Sequence, residues 1–589
     1  MADVVSRIYS GFRGCDFRGL EVNLLRSPDC LNVWKDYTET ESIRTRPGLE
    51  LDTSFTDTVY GVFFYGGEML VHSGTKLYKV VDGVKTELYT GLREAVSNSF
   101  IYDDVFYFKD GLHYLKYDGT KIGDVVGYIP TTTIARKPMG GGSKYEDVNM
   151  LSDYRKNGFL ADGVSFSYFL DVKNIDDDYI PEVNVDGEVV EYTSTEVRTE
   201  TVDGKEVEVT YCKLGDTDVY KVFWADGKIE FINTPPDAPL TDGQDNVVIK
   251  FKKVVVDDQG VPRYKDIISK CTMLQVFDNR VFFSGNPNHP NMVWNSSLND
   301  PSYVSDLDYY REGMDSAAVK GMVAGNNALW VFREPSDANT TVFYHTPSLD
   351  DEYGKIYPSS HSSITTGCIG KAINFNDDIV FFSDRGMEGI NGDVTTEQAV
   401  AHRSSMVDSK LISEPNYKDM VLAEWEGYLF VFIGNKAYLA DSRARFQVDN
   451  HLEYEWFAWQ MEHDVVCATV KDGVLYIGTS DGVYTLTDTE ADVESYWTTP
   501  IDKFKYPNKL KTTNKRGCVA EASGDVSFYA KLEDTGFELI GTYEDVQDYF
   551  VSRIKRKKFK DIQLKFHSNT RFSLETVTLE CFIGGYIKR

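Results

Sequence analysis

Apolar pairs and triplets recur through the C-terminal half of the chain at Val281-Phe282-Phe283, Leu329-Trp330-Val331, Ile379-Val380-Phe381, Leu429-Phe430-Val431, Val474-Leu475-Tyr476 and Val526-Ser527-Phe528. Each is followed by a turn and a second strand-like run, and the spacing is roughly 50 residues, the period of kelch-like propeller blades. The pattern predicts a β-propeller, whose blades are small antiparallel sheets. Two similar units come earlier. Val59–Tyr65 and Glu68–Val71 flank the hairpin dipeptide Gly66-Gly67, with Lys76–Val81 as a third strand. Phe100–Phe108 and His113–Tyr117 repeat that unit about 36 residues later. The expectation is a mainly β fold, a propeller of seven or eight blades, the count depending on whether the last cadence and the strand-like segments Asp561–Phe566 and Leu574–Phe582 make one blade or two. Those C-terminal strands are expected to close the ring by pairing with the other chain end.

The cadence is interrupted between residues 129 and 262. This stretch opens with Tyr128-Ile129-Pro130 and a glycine run, Gly140-Gly141-Gly142, that suits a flexible junction. It then offers alternating runs, Val207–Tyr211 and Val247–Phe251, and turn pairs at Asp186-Gly187, Asp203-Gly204 and Asp226-Gly227. An inserted small β-sandwich or barrel domain is expected. Residues 1–58 lack periodicity beyond Leu31, Val33 and Trp34, so they read as an extended N-terminal arm laid over a partner or over the propeller itself. The predicted organisation is therefore arm 1–58, first blades 59–128, inserted domain 129–262, and remaining blades with ring-closing strands 263–589. Helix signals are few; Glu397–Met406 and Ser152–Asn157 are the candidates.

Composition agrees with a β-rich chain, because 37 Tyr and 34 Phe dominate an aromatic fraction of 13% and suit pleated, half-buried surfaces. The 92 acidic and 62 basic residues give a formal net charge of −30, which argues against a nucleic-acid grip over the whole surface. The opening MADVVSRIYS lacks the apolar core of a signal peptide and no apolar run reaches the roughly 20 residues of a membrane span, so a soluble protein of cytosolic origin is expected. Cys15, Cys30, Cys212, Cys271, Cys368, Cys467, Cys518 and Cys581 form no C-x-x-C pair and read as buried free thiols.

Tests for chemistry give little. Gly478-Thr479-Ser480-Asp481-Gly482 matches a nucleophile elbow in letters only, since an elbow joins a strand to a helix and this one lies between two strand-like runs. Ser383-Asp384-Arg385-Gly386 occupies the same place in an earlier unit. Asp176-Asp177-Asp178 lacks the ligand spacing of a calcium loop and reads as a solvated turn. Nine dispersed histidines suggest no metal cluster, and no catalytic, cofactor-binding or metal-binding residues are assigned. Against the acidic background, Lys503, Lys505, Lys509, Lys511, Lys515 and Arg516, then Arg553, Lys555, Arg556, Lys557, Lys558 and Lys560, concentrate positive charge late in the chain. They read either as a solvated rim or as a contact for an acidic partner, an acidic neighbouring subunit or phosphate.

Three groups of residues carry a family resemblance. Gly19-Leu20 through Pro28, Asn32-Val33-Trp34 and Arg44-Thr45-Arg46-Pro47-Gly48 resemble the N-terminal signature of tailed-bacteriophage structural proteins, in which an arm ending in an Arg-Pro-Gly turn leads into a propeller. Tyr128–Thr132, Asp147–Asn149 and Arg155–Asn157 resemble the junction of related virion proteins, and Phe231-Ile232, Thr234–Pro236 and Val247–Phe251 a small β-module of such chains. In architecture the chain is similar to the tail hub or nozzle proteins (tail tubular protein B-like) of short-tailed phages. The resemblance implies a non-enzymatic virion component assembled in the host cytoplasm. It implies a homo-oligomeric ring, generally a hexamer, below the head-to-tail adaptor. It also implies contacts to portal-side proteins and other tail proteins or fibres, and passage of genomic DNA without sequence specificity or any membrane span. Assembly contacts are expected from residues 1–58 and 129–262. The alternative is an adhesin propeller that binds host glycan on exposed aromatics such as Trp294 or Tyr309; a sialidase-like enzyme is disfavoured because the repeat spacing is wrong at Ser383–Met387.

Overall fold

The computed structural model describes residues 4–35, 42–202, 204–337, 340–350, 354–392, 394–395, 399–448, 451–487, 492–555 and 558–587. The chain divides into two units, one of residues 1–99 with 312–589 and one of Phe100–Arg311.

Among the described residues, seven four-stranded antiparallel sheets are the blades of a β-propeller. Blade 1 spans Val59–Thr90, blade 2 Asn98–Asp124, blade 3 Met273–Arg311, blade 4 Val319–His361, blade 5 Ala372–His402 and blade 6 Val421–Gln460. The apolar cadence marks the second strand of a blade. Val281, Phe282, Phe283, Leu329, Val331, Val380, Phe381, Leu429, Phe430 and Val431 are fully buried. A strand covered on both faces reads as a continuous apolar run instead of an alternation, which is why these segments stand out. The hairpin that feeds each second strand has two central residues with positive φ: Gly66-Gly67, Asp103-Asp104, Asp278-Asn279, Asn326-Asn327, Asn376-Asp377, Glu426-Gly427 and Asp472-Gly473. Two-residue turns of that kind match the right-handed twist of the strands, and Gly, Asn and Asp tolerate the left-handed region best. Within the first unit blade 4 packs on blade 5 through Phe332 and Phe381, and blade 1 on blade 7 through Val62, Val71, Cys467 and Val483. Within the second unit blade 2 packs on blade 3 through Tyr107, Tyr114 and Phe283.

The N-terminal segment contributes five strands: β1 (Val4–Ser10), β2 (Cys30–Leu31), β3 (Val33–Lys35), β4 (Ile43–Thr45) and β5 (Gly48–Ser54). The expected ring-closing C-terminal strands are corrected here. Blade 7 consists of Cys467–Lys471, Val474–Gly478 and Gly482–Thr487, and its fourth strand is β5, paired from Thr487↔Gly48 to Gly482↔Ser54. A blade completed by strands distant in sequence locks the first blade to the last, and here the N-terminal side supplies the lock. Of the two expected placements of the N-terminal arm, over a partner or over the protein itself, the structure has the second: Tyr9, Phe12, Val33, Trp34 and Ile43 are buried in the protein's own core, where their apolar surface is removed from water.

The C-terminal strands, with the Val526–Phe528 cadence, belong to a different body. A ten-stranded sheet runs in the order β2, Ser495–Thr498, Ile562–Ser568, Lys509–Leu532, Phe572–Tyr586, β4, β3, with β1 on Phe572–Tyr586. Its two ends, β2 and β3, are separated in the chain by Asn32 alone, so the sheet nearly closes on itself around Trp497, Phe528, Leu564, Phe566, Leu574, Val577 and Leu579. In the second unit a six-stranded and a five-stranded sheet enclose Phe159, Tyr168, Val183, Tyr220, Ile229 and Ile249, a β-sandwich lying between blades 2 and 3 in the sequence. Ser152–Asn157 falls largely on the strand Tyr154–Phe159 because it pairs along Val247–Lys252, and Val400–His402 is the fourth strand of blade 5; Glu397 lies outside the described residues.

Candidate functional site

Two motifs of the N-terminal segment, Asn32–Trp34 and Arg44–Gly48, converge on one seam. Asn32 takes up a φ of 53°, a region Asn tolerates, and this turn sets β2 and β3 on opposite ends of the nearly closed sheet. Its amide donates to Glu494 O at 2.8 Å, and its Oδ1 accepts from Gln460 N at 2.7 Å and Arg46 Nε at 3.2 Å. Arg46 is buried and donates further to Pro47 O at 2.7 Å, Gln460 O at 2.9 Å and Glu462 Oε1 at 2.6 Å. The Arg-Pro-Gly turn is thus a clamp that holds the start of β5 against the last strand of blade 6. Proline fixes the backbone as the chain leaves β4. Thr45 reaches Ser495 at 2.8 Å, and Trp34 packs on Trp425, Tyr428 and Trp459 with ring centroids 5.6 to 5.7 Å apart.

A buried ionic cluster lies beside the seam. Glu455, on the last strand of blade 6, faces Arg26 at 3.7 Å and Arg13 at 3.8 Å. Burial pushes its carboxyl up to about 7, and the two arginines only partly offset that cost. Arg26 is itself lowered by burial, stacks over Phe446 at 4.3 Å, and its Nε has no hydrogen-bond partner among the described residues. On blade 5, burial works to lower His402, but hydrogen bonds to Asp408 (2.6 Å) and Glu388 (3.2 Å) win and hold the imidazolium up to about 10. Glu455 is buried, away from any surface a substrate could reach, and both clusters tie chain segments together.

The residues weighed for chemistry serve the fold. Thr479 Oγ1 accepts from Gly482 N and donates to Asp481, so the elbow-like sequence is the hairpin turn between two strands of blade 7. Asp176 accepts from Val254 N at 2.6 Å and Asp178 pairs with Lys252, which consumes two of the three carboxylates of that run. All eight cysteines are free and buried. Trp294 is buried in blade 3 and offers no exposed ring to a glycan, while Tyr309 is half exposed. Among the described residues no group of His, Cys, Asp and Glu could hold a metal ion, and no helix is long and apolar enough to cross a membrane.

The two basic runs meet. Lys511 and Phe559 exchange both backbone hydrogen bonds, at 2.8 and 3.0 Å, so the end of the first run lies beside Phe559 of the second. The side chains of Lys515 and Arg516, and residues Arg556 and Lys557, lie outside the described residues. In the inserted domain the strand Ser194–Val202 is solvent-facing for most of its length and forms the outer edge of the five-stranded sheet. Sequence reasoning found the motifs of the seam without their roles, named Lys511 as part of a basic run without its burial, and missed Glu455; an acidic side chain in the aromatic run Tyr454–Trp459 is the signal that was available for the last.

No protein-family model matches the chain, and no curated protein matches it. Among solved structures, BamB from Moraxella catarrhalis is 10% identical, with 76% of this chain and 99% of that chain covered at a TM-score of 0.32. The computationally designed Ika8 protein is 10% identical, with 74% and 99% covered at 0.30. The WD40 β-propeller domain of Doa1 is 10% identical, with 76% and 97% covered at 0.22.

Proposed function

We propose that this chain is a structural component of a phage tail, a hub or nozzle subunit that assembles as a hexameric ring below the head-to-tail adaptor and encloses the DNA exit channel. The observation that carries the reading is the seam. The Asn32–Trp34 and Arg44–Gly48 motifs, which carry part of the resemblance to tailed-phage structural proteins, are the residues that lock blade 7 and nearly close the C-terminal sheet. A subunit of a ring that withstands the passage of a genome needs a body that does not open, and heterologous contacts between such bodies close into rings. The acidic balance of the chain, at −30, would repel DNA phosphates and let a duplex slide. No catalysis is part of this reading.

Negative-stain electron microscopy with mass photometry tests it, on the protein alone and with the adaptor proteins encoded beside its gene. Sixfold rings with an axial hole wide enough for duplex DNA are the expected result. Persistent monomers or compact trimers under every condition would overturn it.

A further inference from the structure

Many cations of this acidic chain pair with carboxylates, as in Lys76 with Glu87, Lys79 with Glu68, Arg198 with Asp218 and Arg403 with Asp378. The juxtaposed basic runs are different. Lys505, Arg553, Lys555, Lys558 and Lys560 are exposed, and none of them makes an ion pair among the described residues. The scaffold beneath them is fixed. Asp502, which takes hydrogen bonds from Arg7 (2.5 Å), Tyr9 (3.0 Å) and Phe504 N (2.6 Å), pins the turn in which Phe504 and Lys505 both adopt positive φ. The buried Lys511 ammonium donates to Tyr506 O at 2.5 Å and Lys560 O at 2.6 Å, and Thr513 donates to Ile554 O at 3.1 Å, so both runs are stapled to one strand. Two aromatics border the cations: Lys509 Nζ lies 5.0 Å from the centroid of Tyr506 and 5.5 Å from that of Tyr586, and both rings are exposed. Two carboxylates border the ledge: Glu533, which accepts from Lys560 N, and Asp561, the chain neighbour of Lys560.

From this ledge of unpaired cations beside exposed tyrosines we infer a binding surface for the phosphodiester backbone of a nucleic acid. The charge complementarity is local. At physiological salt the screening length is roughly 8 Å, so a phosphate on the ledge feels these five cations more than the distant acidic surface. A cationic track with aromatic platforms is the combination that holds nucleic-acid strands without sequence preference. An acidic protein would match the charge, but the tyrosine rings favour bases. The inference does not depend on the ring reading, since it concerns one chain.

The test is fluorescence anisotropy of the full-length protein with single-stranded and duplex 40-mer oligonucleotides at several salt concentrations. Mass photometry on the same samples records the oligomeric state separately. Wild type is expected to bind, with affinity falling linearly in log salt. The double variant Lys555→Glu with Lys558→Glu should bind at least tenfold more weakly and flatten the salt slope by roughly 1.4 to 1.8, about 0.7 to 0.9 per lost phosphate contact. Lys205→Glu, an equal kind of charge change on the inserted domain, should bind as wild type. Tyr506→Ala should weaken the single strand more than the duplex if bases stack there. No binding by wild type at 50 mM salt, equal losses in the ledge and Lys205 variants, or competition by polyglutamate as strong as by DNA would each overturn the assignment. A protein that binds DNA but forms no ring sustains the ledge and removes the hub.

Discussion

The blades and the nearly closed C-terminal sheet are built from the same kind of strand by opposite logic. A blade is assembled from neighbours in sequence, joined by two-residue hairpins, so its information is local and repeats. The C-terminal sheet takes strands from residues 4–45 and from residues 495–586, and its contacts are closed over almost the whole chain. The difference teaches where this fold is vulnerable. A blade hairpin can form before anything else does, whereas the seam at Asn32, Arg46 and β5 must wait until both ends of the chain are in place, because distant pairings carry the loop-closure cost first.

Breaking the seam should therefore cost more than trimming a blade turn. Trp34→Ala empties a cage of three aromatic rings and is expected to destabilise by about 4 kcal/mol, within the range for large aromatics in cores, read by urea unfolding. A loss below about 1 kcal/mol would mean that β3 is not part of the core. Arg46→Ala removes the side-chain donor to Pro47 O and Gln460 O and the ion pair to Glu462, and should cost about 3 kcal/mol. In that variant hydrogen exchange should quicken at β5 and in blade 7 before it does in blade 4.

Acidity sharpens the comparison, since Glu455 ties the seam to blade 6. Its native carboxyl is raised to about 7, above the unfolded value near 4.3, so the folded protein holds the proton more tightly. Stability is thus highest below the unfolded value, falls as pH rises from about 4.3 to 7, and levels off above that, by on the order of 3 kcal/mol in total. Glu455→Gln should abolish that slope, and a slope unchanged in the variant would assign it to another group. The smallest effect belongs to a blade. Glu426 holds a φ of 50° in a hairpin whose equivalents are Gly, Asn or Asp, so Glu426→Gly is expected to stabilise by about 1 kcal/mol in the same unfolding assay.

How much of this was legible follows from the same contrast. The second strands of the blades declared themselves because both faces are covered and the run is wholly apolar, and Gly66-Gly67 named its own turn. The inserted sandwich announced itself through alternation, as at Val247–Lys252, where buried and half-buried residues alternate in register. The Val526–Phe528 cadence misled because a strand deep in a barrel-like sheet is as apolar as one in a blade. Which surface the arm covers was not legible because β2, β3 and β4 are two or three residues long, too short for any period, and their burial depends on partners more than 400 residues away, such as Gln460 for Asn32 and Trp459 for Val33. The basic runs were visible as composition, but their meeting at Lys511 and Phe559 was not, since nothing in either run specifies the bridge.

Hydrogen–deuterium exchange by mass spectrometry on the intact wild-type protein tests the central claim, that the N-terminal segment is the lock of the fold. Amides of Gly48–Ser54 should exchange as slowly as those of their partner strand Gly482–Thr487, and the two should be released together as urea rises. Rapid exchange of Gly48–Ser54 in water, with Gly482–Thr487 still protected, would contradict the lock and restore an arm that is free to reach a partner.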